Sequence, residues 1–223
     1  MNHADRSWRR SPEDLVREVA AAGVDDPRVL AAFRRVRREL FVPEDLVGDA
    51  YHDRPVPIAH RQVTTQPSLV GRMVAALRLG GDERVLEVGT GLGFQAAVLG
   101  ALLPRGQVWT VERFADLAGR ARANLEAAGI ANVGVVVADG TLGWPAAAPY
   151  DAVVVAAAAP RVPVPLAAQL AEGGRLVQPL GPGGDELVTL LRKRRGRLVR
   201  QGVVVGAHFV RLVGTHGLPD PPA

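Results

Sequence analysis

Acidic residues close three apolar runs of this chain: Glu87 in RVLEVGTGLGF, Glu112 in QVWTVER and Asp139 in VVVADG. At a strand end, Glu112 can accept hydrogen bonds from ribose hydroxyls, and Asp139, followed by Gly140, can accept from an adenine amine. After the first acid, Gly89, Gly91 and Gly93 allow a sharp turn and a close approach of backbone to ligand. Their spacing is G-x-G-x-G. A dinucleotide fingerprint requires glycine where Phe94 stands, and a phosphate-binding loop requires a Gly-Lys-Ser/Thr ending that is not near. A nucleoside without phosphates remains. Acids at three successive strand ends suit a ligand with donors and a net positive charge, and S-adenosylmethionine offers an ammonium, a sulfonium, a ribose and an adenine amine. Each acid also has a structural use as a helix N-terminal charge.

A second group of polar side chains stands upstream, in HRQVTTQPSL (60–69). Thr65 there reads as a helix cap, with Pro67 in the first turn and an apolar helix through Leu69, Val70, Met73, Val74 and Leu77. The elements that position both groups follow from pattern. Ser11-Pro12 with Asp14 in the capping-box position opens one helix, and Asp26-Pro27 opens another through RVLAAFRRVRREL. FVPEDLVGDAYHDRPVPI, with prolines at 43, 55 and 57, crosses the surface in an extended path towards the polar stretch. From Arg84 strands and helices alternate. Strands are expected at 85–88, 107–111, 133–137, 152–156 and 175–179, and helices near 94–103, 115–129 and 165–172. The fold class is therefore α/β, a doubly wound, Rossmann-like, largely parallel sheet behind an N-terminal helical extension. The expected division is 1–66 for the extension and its loop, 67–214 for the sheet domain and 215–223 for a disordered, proline-rich tail.

Composition narrows the function classes. A chain of 223 residues with 48% hydrophobic content is globular, and no run approaches the ~20 apolar residues of a membrane span. The N-terminal MNHADRSWRR lacks the apolar core of a signal peptide, so a cytoplasmic protein is expected. There is no cysteine, and the five histidines show no i, i+4 spacing, so no metal is expected. The net charge of +4 raises nucleic acid as a partner, but Lys193 is the only lysine. The densest basic run, Arg192 to Arg200, lies between two strand-like segments and reads as an exposed hairpin turn.

The stretches VLEVGTGLGFQAAVL, VERFADLAGRARANL, the long segment from Asp139 to Gly181 and the late HFVRLVG together resemble the protein-L-isoaspartate O-methyltransferase family, in order from about Arg28 to Gly214. Upstream, YHDRPVPIAHRQVTTQP is similar to that family's substrate segment, of the form Y-x-D-x-P-x-P-I-G-x-G-Q-T-I-S-Q-P. The resemblance implies a class I methyltransferase that uses S-adenosylmethionine to methylate the free carboxylate of isoaspartyl, and D-aspartyl, residues in damaged proteins or peptides, after which the ester collapses to a succinimide. Thr65 falls where the family has its active-site serine. Ala59 and Arg61 stand where glycines are usual, and Val63 where threonine is. With Thr90, Gln95 and Arg113 of the same motifs, the expected cofactor set is Glu87, Gly89, Thr90, Gly91, Gly93, Gln95, Glu112, Arg113, Asp139 and Gly140. Thr65 is expected to be both cap and carboxylate-orienting residue, with the substrate held by Ile58, Ala59, His60, Gln62 and Val210. A monomer is expected. Three rival readings stay open: a specialised relative that methylates an aspartate of one dedicated peptide, a nucleic-acid methyltransferase using Arg192–Arg200, and a silent cofactor-binding protein.

Overall fold

The computed structural model describes residues 10–181 and 184–220. Ser11 and Asp14 form the reciprocal capping box of α1 (Pro12–Ala21), and the Asp26 side chain caps α2 (Pro27–Arg35). The second helix stops five residues before the sequence pattern predicts. Val36 is extended and a 3-10 turn, Arg38–Phe41, follows, because the Arg38 side chain turns into the protein to meet backbone carbonyls of the next loop. That loop contains a second 3-10 turn, Glu44–Asp49, where an extended path is expected. A two-strand hairpin comes next, β1 (Val56–Pro57) and β2 (Val63–Thr64), and then α3 (Pro67–Ala76).

The main sheet starts with β3 (Arg84–Val88), followed by α4 (Phe94–Leu102), β4 (Gln107–Glu112), α5 (Ala115–Ala127), β5 (Val133–Val137), β6 (Tyr150–Val155), α6 (Val164–Gln169), β7 (Leu170–Leu180), β8 (Glu186–Arg194) and β9 (Arg197–Ala207). Its order is β5-β4-β3-β6-β7-β8-β9, parallel from β5 to β7 and antiparallel across the last two pairings. The chain runs outward from β3 through β4 to β5, then crosses back to β6 on the other side. The carboxyl end of β3 is thus the switch point, where such sheets open a crevice.

Alternate residues of the strands feed separate cores. Val85, Val154 and Val177 pack with Leu15, Phe33, Met73 and Leu99 on one face, whereas Leu86, Val153 and Leu176 pack with Tyr150, Leu166 and Leu212 on the other. The N-terminal helices share the first of these cores with the sheet. The expected helix 165–172 is shorter, since α6 ends at Gln169 and β7 begins at Leu170. The basic run is a hairpin turn, as its pattern indicates, with Arg195 and Gly196 at φ 52° and 74°. Lys193 points its Nζ at the carbonyls of Ala167, Ala168 and Leu170, at the end of α6.

The tail corrects the sequence expectation. Residues 215–220 are docked: Leu218 N donates to Leu212 O at 2.7 Å, and Asp220 pairs with Arg113 at 2.8 Å. Residues 221–223 of that expected disordered segment lie outside the described residues. Among the described residues no helix is long and apolar enough to cross a membrane, and no cluster of three or more His, Asp or Glu could hold a metal ion.

Candidate active site

A cleft of about 880 Å³, counted to its open mouth, lies over the carboxyl ends of β3 and β4. Of the residues singled out from sequence, it brings together Ile58, Gln62, Thr65, Gly89, Thr90, Gly91, Gln95, Glu112, Arg113, Gly140 and Val210 on its walls. Ala59, His60, Glu87, Gly93 and Asp139 are not on those walls, and each has a structural task instead.

The floor is the turn after β3. Gly91 has φ 55°, a left-handed conformation that glycine adopts without strain, and it faces Ile58 Cδ1 of the hairpin across the turn. Glu112 ends β4 with its carboxylate in the cleft. Its Oε2 accepts from Gly91 N at 2.9 Å and its Oε1 from Phe114 N at 3.1 Å, which leaves each oxygen with acceptor capacity for a ligand donor. Arg113 brings no free cation to the wall, being paired with Asp220 and set over the Phe114 ring at 4.9 Å. The walls therefore offer the Glu112 carboxylate and apolar surface, with Arg211 as a further charged residue on the lining.

Glu87 lies beneath this floor, fully buried, accepting from Gln95 Nε2 at 2.9 Å and from Thr110 Oγ1. Burial, helped by the Glu112 charge, pushes its pKa up to about 8, against the two hydrogen bonds. It is a neutral strut at pH 7 and not a contact of the cleft. Gly93, at φ 95°, is the N-cap of α4 and packs on Ala121. Asp139 caps the 3-10 turn Gly140–Leu142 through Thr141 N and accepts from Thr215 N at 2.7 Å. Burial opposes its ionisation, but those hydrogen bonds win and hold its pKa below the usual carboxylate value. Its oxygens accept from Thr141 and from the docked C-terminal segment, and it does not line the cleft.

The substrate segment divides likewise. The hairpin tip, Ala59 to Gln62, is a turn with His60 and Arg61 at φ 59° and 56°. Ile58 N is committed to Gln62 O at 2.9 Å, and the Gln62 amide folds back on His60 O, so the expected donors of Ile58 and Gln62 are used in closing the turn. His60 stacks on Phe114 with centroids 4.0 Å apart and meets the Asp116 carboxylate at 2.9 Å, which docks the hairpin across the start of α5. Val210, in contrast, has a backbone N–H with no partner among the described residues and lines the cleft, while its carbonyl accepts from Ala158 N.

Thr65 is not the cap of α3. Gln66 occupies that position, and the helix end is satisfied by Asp53, whose Oδ1 accepts from Ser68 N at 2.7 Å and whose Oδ2 accepts from Gln66 Nε2 at 2.8 Å. Thr64 turns inward and is buried, whereas Thr65 faces the cleft with a hydroxyl that makes no hydrogen bond among the described residues. Sequence reasoning missed Phe114, Arg38 and Asp53. Phe114 was within reach of it, as the residue directly after Glu112 and Arg113; the other two reveal themselves only through long-range contacts.

The model of the protein-L-isoaspartate(D-aspartate) O-methyltransferase family matches residues 10–217. The chain is 51% identical to a protein-L-isoaspartate O-methyltransferase of Rhodopseudomonas palustris, over 92% of this chain and 94% of the relative. It is 48% identical to one of Methanoculleus marisnigri, over 94% of each. Among solved structures, a protein-L-isoaspartate O-methyltransferase superposes with a TM-score of 0.82 at 30% identity, over 93% of this chain and 67% of that one. The Plasmodium falciparum protein solved with S-adenosyl-L-homocysteine shares the fold, with a TM-score of 0.77 at 21% identity, over 90% of this chain and 97% of that one.

Proposed function

We propose that this chain, which belongs to the protein-L-isoaspartate(D-aspartate) O-methyltransferase family, is a carboxyl methyltransferase that uses S-adenosylmethionine and acts on isoaspartyl residues of damaged proteins or peptides. The observation that carries the reading is the placement of the Thr65 hydroxyl and the Glu112 carboxylate on the walls of one cleft. S-adenosylmethionine fits that cleft's donor set, and when bound it supplies an electrophilic methyl group on a sulfonium. Glu112 would hold its ribose hydroxyls, with Gly89, Thr90, Gly91, Gln95 and Gly140 as neighbours.

What remains for the protein is placement. A substrate carboxylate with its ordinary pKa near ~4 is ionised at neutral pH, so its oxygen is nucleophilic without a base. The free Thr65 hydroxyl orients that carboxylate, and the unpaired Val210 N–H holds a substrate carbonyl. Alignment of this kind is worth up to ~7 to 11 kcal/mol. The same reading takes the protein as a cytoplasmic monomer with no nucleic-acid partner.

Isoaspartate carries its free carboxylate directly on the α-carbon, one methylene nearer the main chain than aspartate. A site that grips backbone groups senses the difference. Methyl transfer to an isoaspartyl peptide, with its aspartyl isomer as control, tests the reading: the first is expected to form a labile ester that releases methanol, and the second to react poorly. Equal turnover of both isomers would replace repair by a broader carboxyl methyltransferase, and turnover of one aspartyl peptide alone by a dedicated one.

A further inference from the structure

Arg38 is among the most deeply buried side chains of the protein, with no exposed surface, and no carboxylate among the described residues forms an ion pair with it. Its acceptors are neutral and belong to the segment before Thr65. Nη1 donates to Ala50 O at 2.7 Å and His52 O at 2.9 Å, and Nη2 donates to Arg54 O at 3.1 Å and to Thr64 Oγ1 at 3.3 Å. Burying a guanidinium that no carboxylate touches is costly, offset in part by the charges of Asp53 and Asp49, and here its Nε is left without a partner among the described residues as well. An apolar residue would fill the same volume more cheaply. The other face of the guanidinium lies 5.4 Å from the centroid of Phe94, the first residue of α4 and part of the cleft wall. One rigid, planar group therefore ties the loop that carries Thr65 to the helix that begins at the cofactor turn.

Asp53 completes the arrangement. It lies within the stretch that Arg38 grips and holds Gln66 and Ser68 beyond Thr65. Thr64 is fixed on the other side, its hydroxyl shared between Arg38 and Val56 N. The residue between them has both neighbours clamped and its own side chain free. We propose that Arg38 and Asp53 are positioning residues that hold the Thr65 hydroxyl at the geometry needed to orient the substrate carboxylate; this rests on the methyltransferase reading above.

A double-mutant cycle on the full chain tests it, using Arg38→Lys, Asp53→Asn and Thr65→Ala, each alone and in pairs with Thr65→Ala. Lysine keeps the charge but cannot reach four acceptors in one plane, and asparagine keeps one oxygen for Ser68 N but loses an acceptor for Gln66. Turnover of an isoaspartyl peptide, corrected for folded fraction, is expected to fall about tenfold or more in Arg38→Lys and Asp53→Asn, with S-adenosyl-L-homocysteine affinity within about twofold of the parent by calorimetry. In the Thr65→Ala background neither change should lower turnover further, because the group they position is gone. Additive losses, or cofactor affinity falling in step with turnover, would overturn the positioning role while leaving the activity assignment intact. Full turnover in Thr65→Ala alone would instead remove the catalytic reading on which the proposal stands. If Arg38→Lys does not fold, the Asp53→Asn arm decides by the same criteria.

Discussion

Thr65→Ala separates chemistry from stability more sharply than the sequence alone allows, because the helix-capping task belongs to Asp53. The expected result is a change in unfolding free energy below about 0.5 kcal/mol, in contrast to the ~0.5 to 2 kcal/mol of a lost cap. Turnover should fall by ~10 to 100-fold, the equivalent of losing a hydrogen bond to a charged group. Steady-state kinetics and denaturant titration measure the two effects separately. Glu87 gives a pH signature. Its folded pKa of about 8 lies above the ordinary value of 4.5, so the native state holds a proton that the unfolded chain releases. Its contribution is fully present below about pH 4.5 and is lost as pH rises through about 8. Glu87→Gln should therefore flatten the decline of stability between about pH 5 and 8, by an amount on the order of a few kcal/mol, as seen by denaturation at several pH values. Glu112 was legible from sequence as a strand-end acid, and the structure places it on the cleft wall. Glu87 and Asp139 have the same local pattern, and only the packing around them, Gln95 and Thr110 in one case and Thr141 and Thr215 in the other, shows that they lie off the cleft walls.

Among the elements, β3, β4 and β5 were readable because parallel strands covered on both faces are short apolar runs. The end of α2 was not, since the pattern RVRREL continues in helical register while Arg38 is drawn inward by carbonyls far along the chain. The start of β7 was obscured by Gly173 and Gly174, at an irregularity where the register with β6 shifts between Tyr150 and Ala152. The hairpin β1–β2 shows departures from the family pattern acting on backbone energy. Arg61 is exposed and held at φ 56°, a conformation that costs an L-residue roughly 1 kcal/mol and glycine almost nothing. Arg61→Gly is expected to stabilise the protein by ~0.5 to 1 kcal/mol with cofactor affinity unchanged, because its side chain makes no hydrogen bond among the described residues. A rise in thermal midpoint of a few degrees would report it. A drop would mean that the loss of chain stiffness outweighs the relief of strain.

Over the whole molecule, the two ends of the chain enclose the cleft that the sheet opens. The 3-10 turn after α2 grips the loop before Thr65 through Arg38, and the C-terminal segment passes from the cleft wall at Val210 to Val213 into a docked turn over Asp139. This closure was not legible in the tail's proline-rich composition, which reads as unstructured, because the hold on residues 215–218 is backbone: Thr215 N on Asp139, His216 N on Thr141 Oγ1 and Leu218 N on Leu212 O. Asp220 adds an exposed ion pair with Arg113, a kind that solvent screens to little net stability. The two contributions can be told apart. A Cβ on Gly214 would overlap the Asp139 carboxylate, so Gly214→Ala forces that carboxylate away from Thr215 N. The expected cost is ~1 to 3 kcal/mol from overpacking, together with weaker binding of S-adenosyl-L-homocysteine, since the displaced segment continues the wall formed by Leu212 and Val213. Asp220→Ala should leave both quantities nearly unchanged and remove only a salt-sensitive increment. Calorimetric affinity and thermal unfolding of the two variants at low and high salt check this. If Asp220→Ala proved the more damaging, the ion pair and not the backbone docking would be what closes the cofactor end of the cleft.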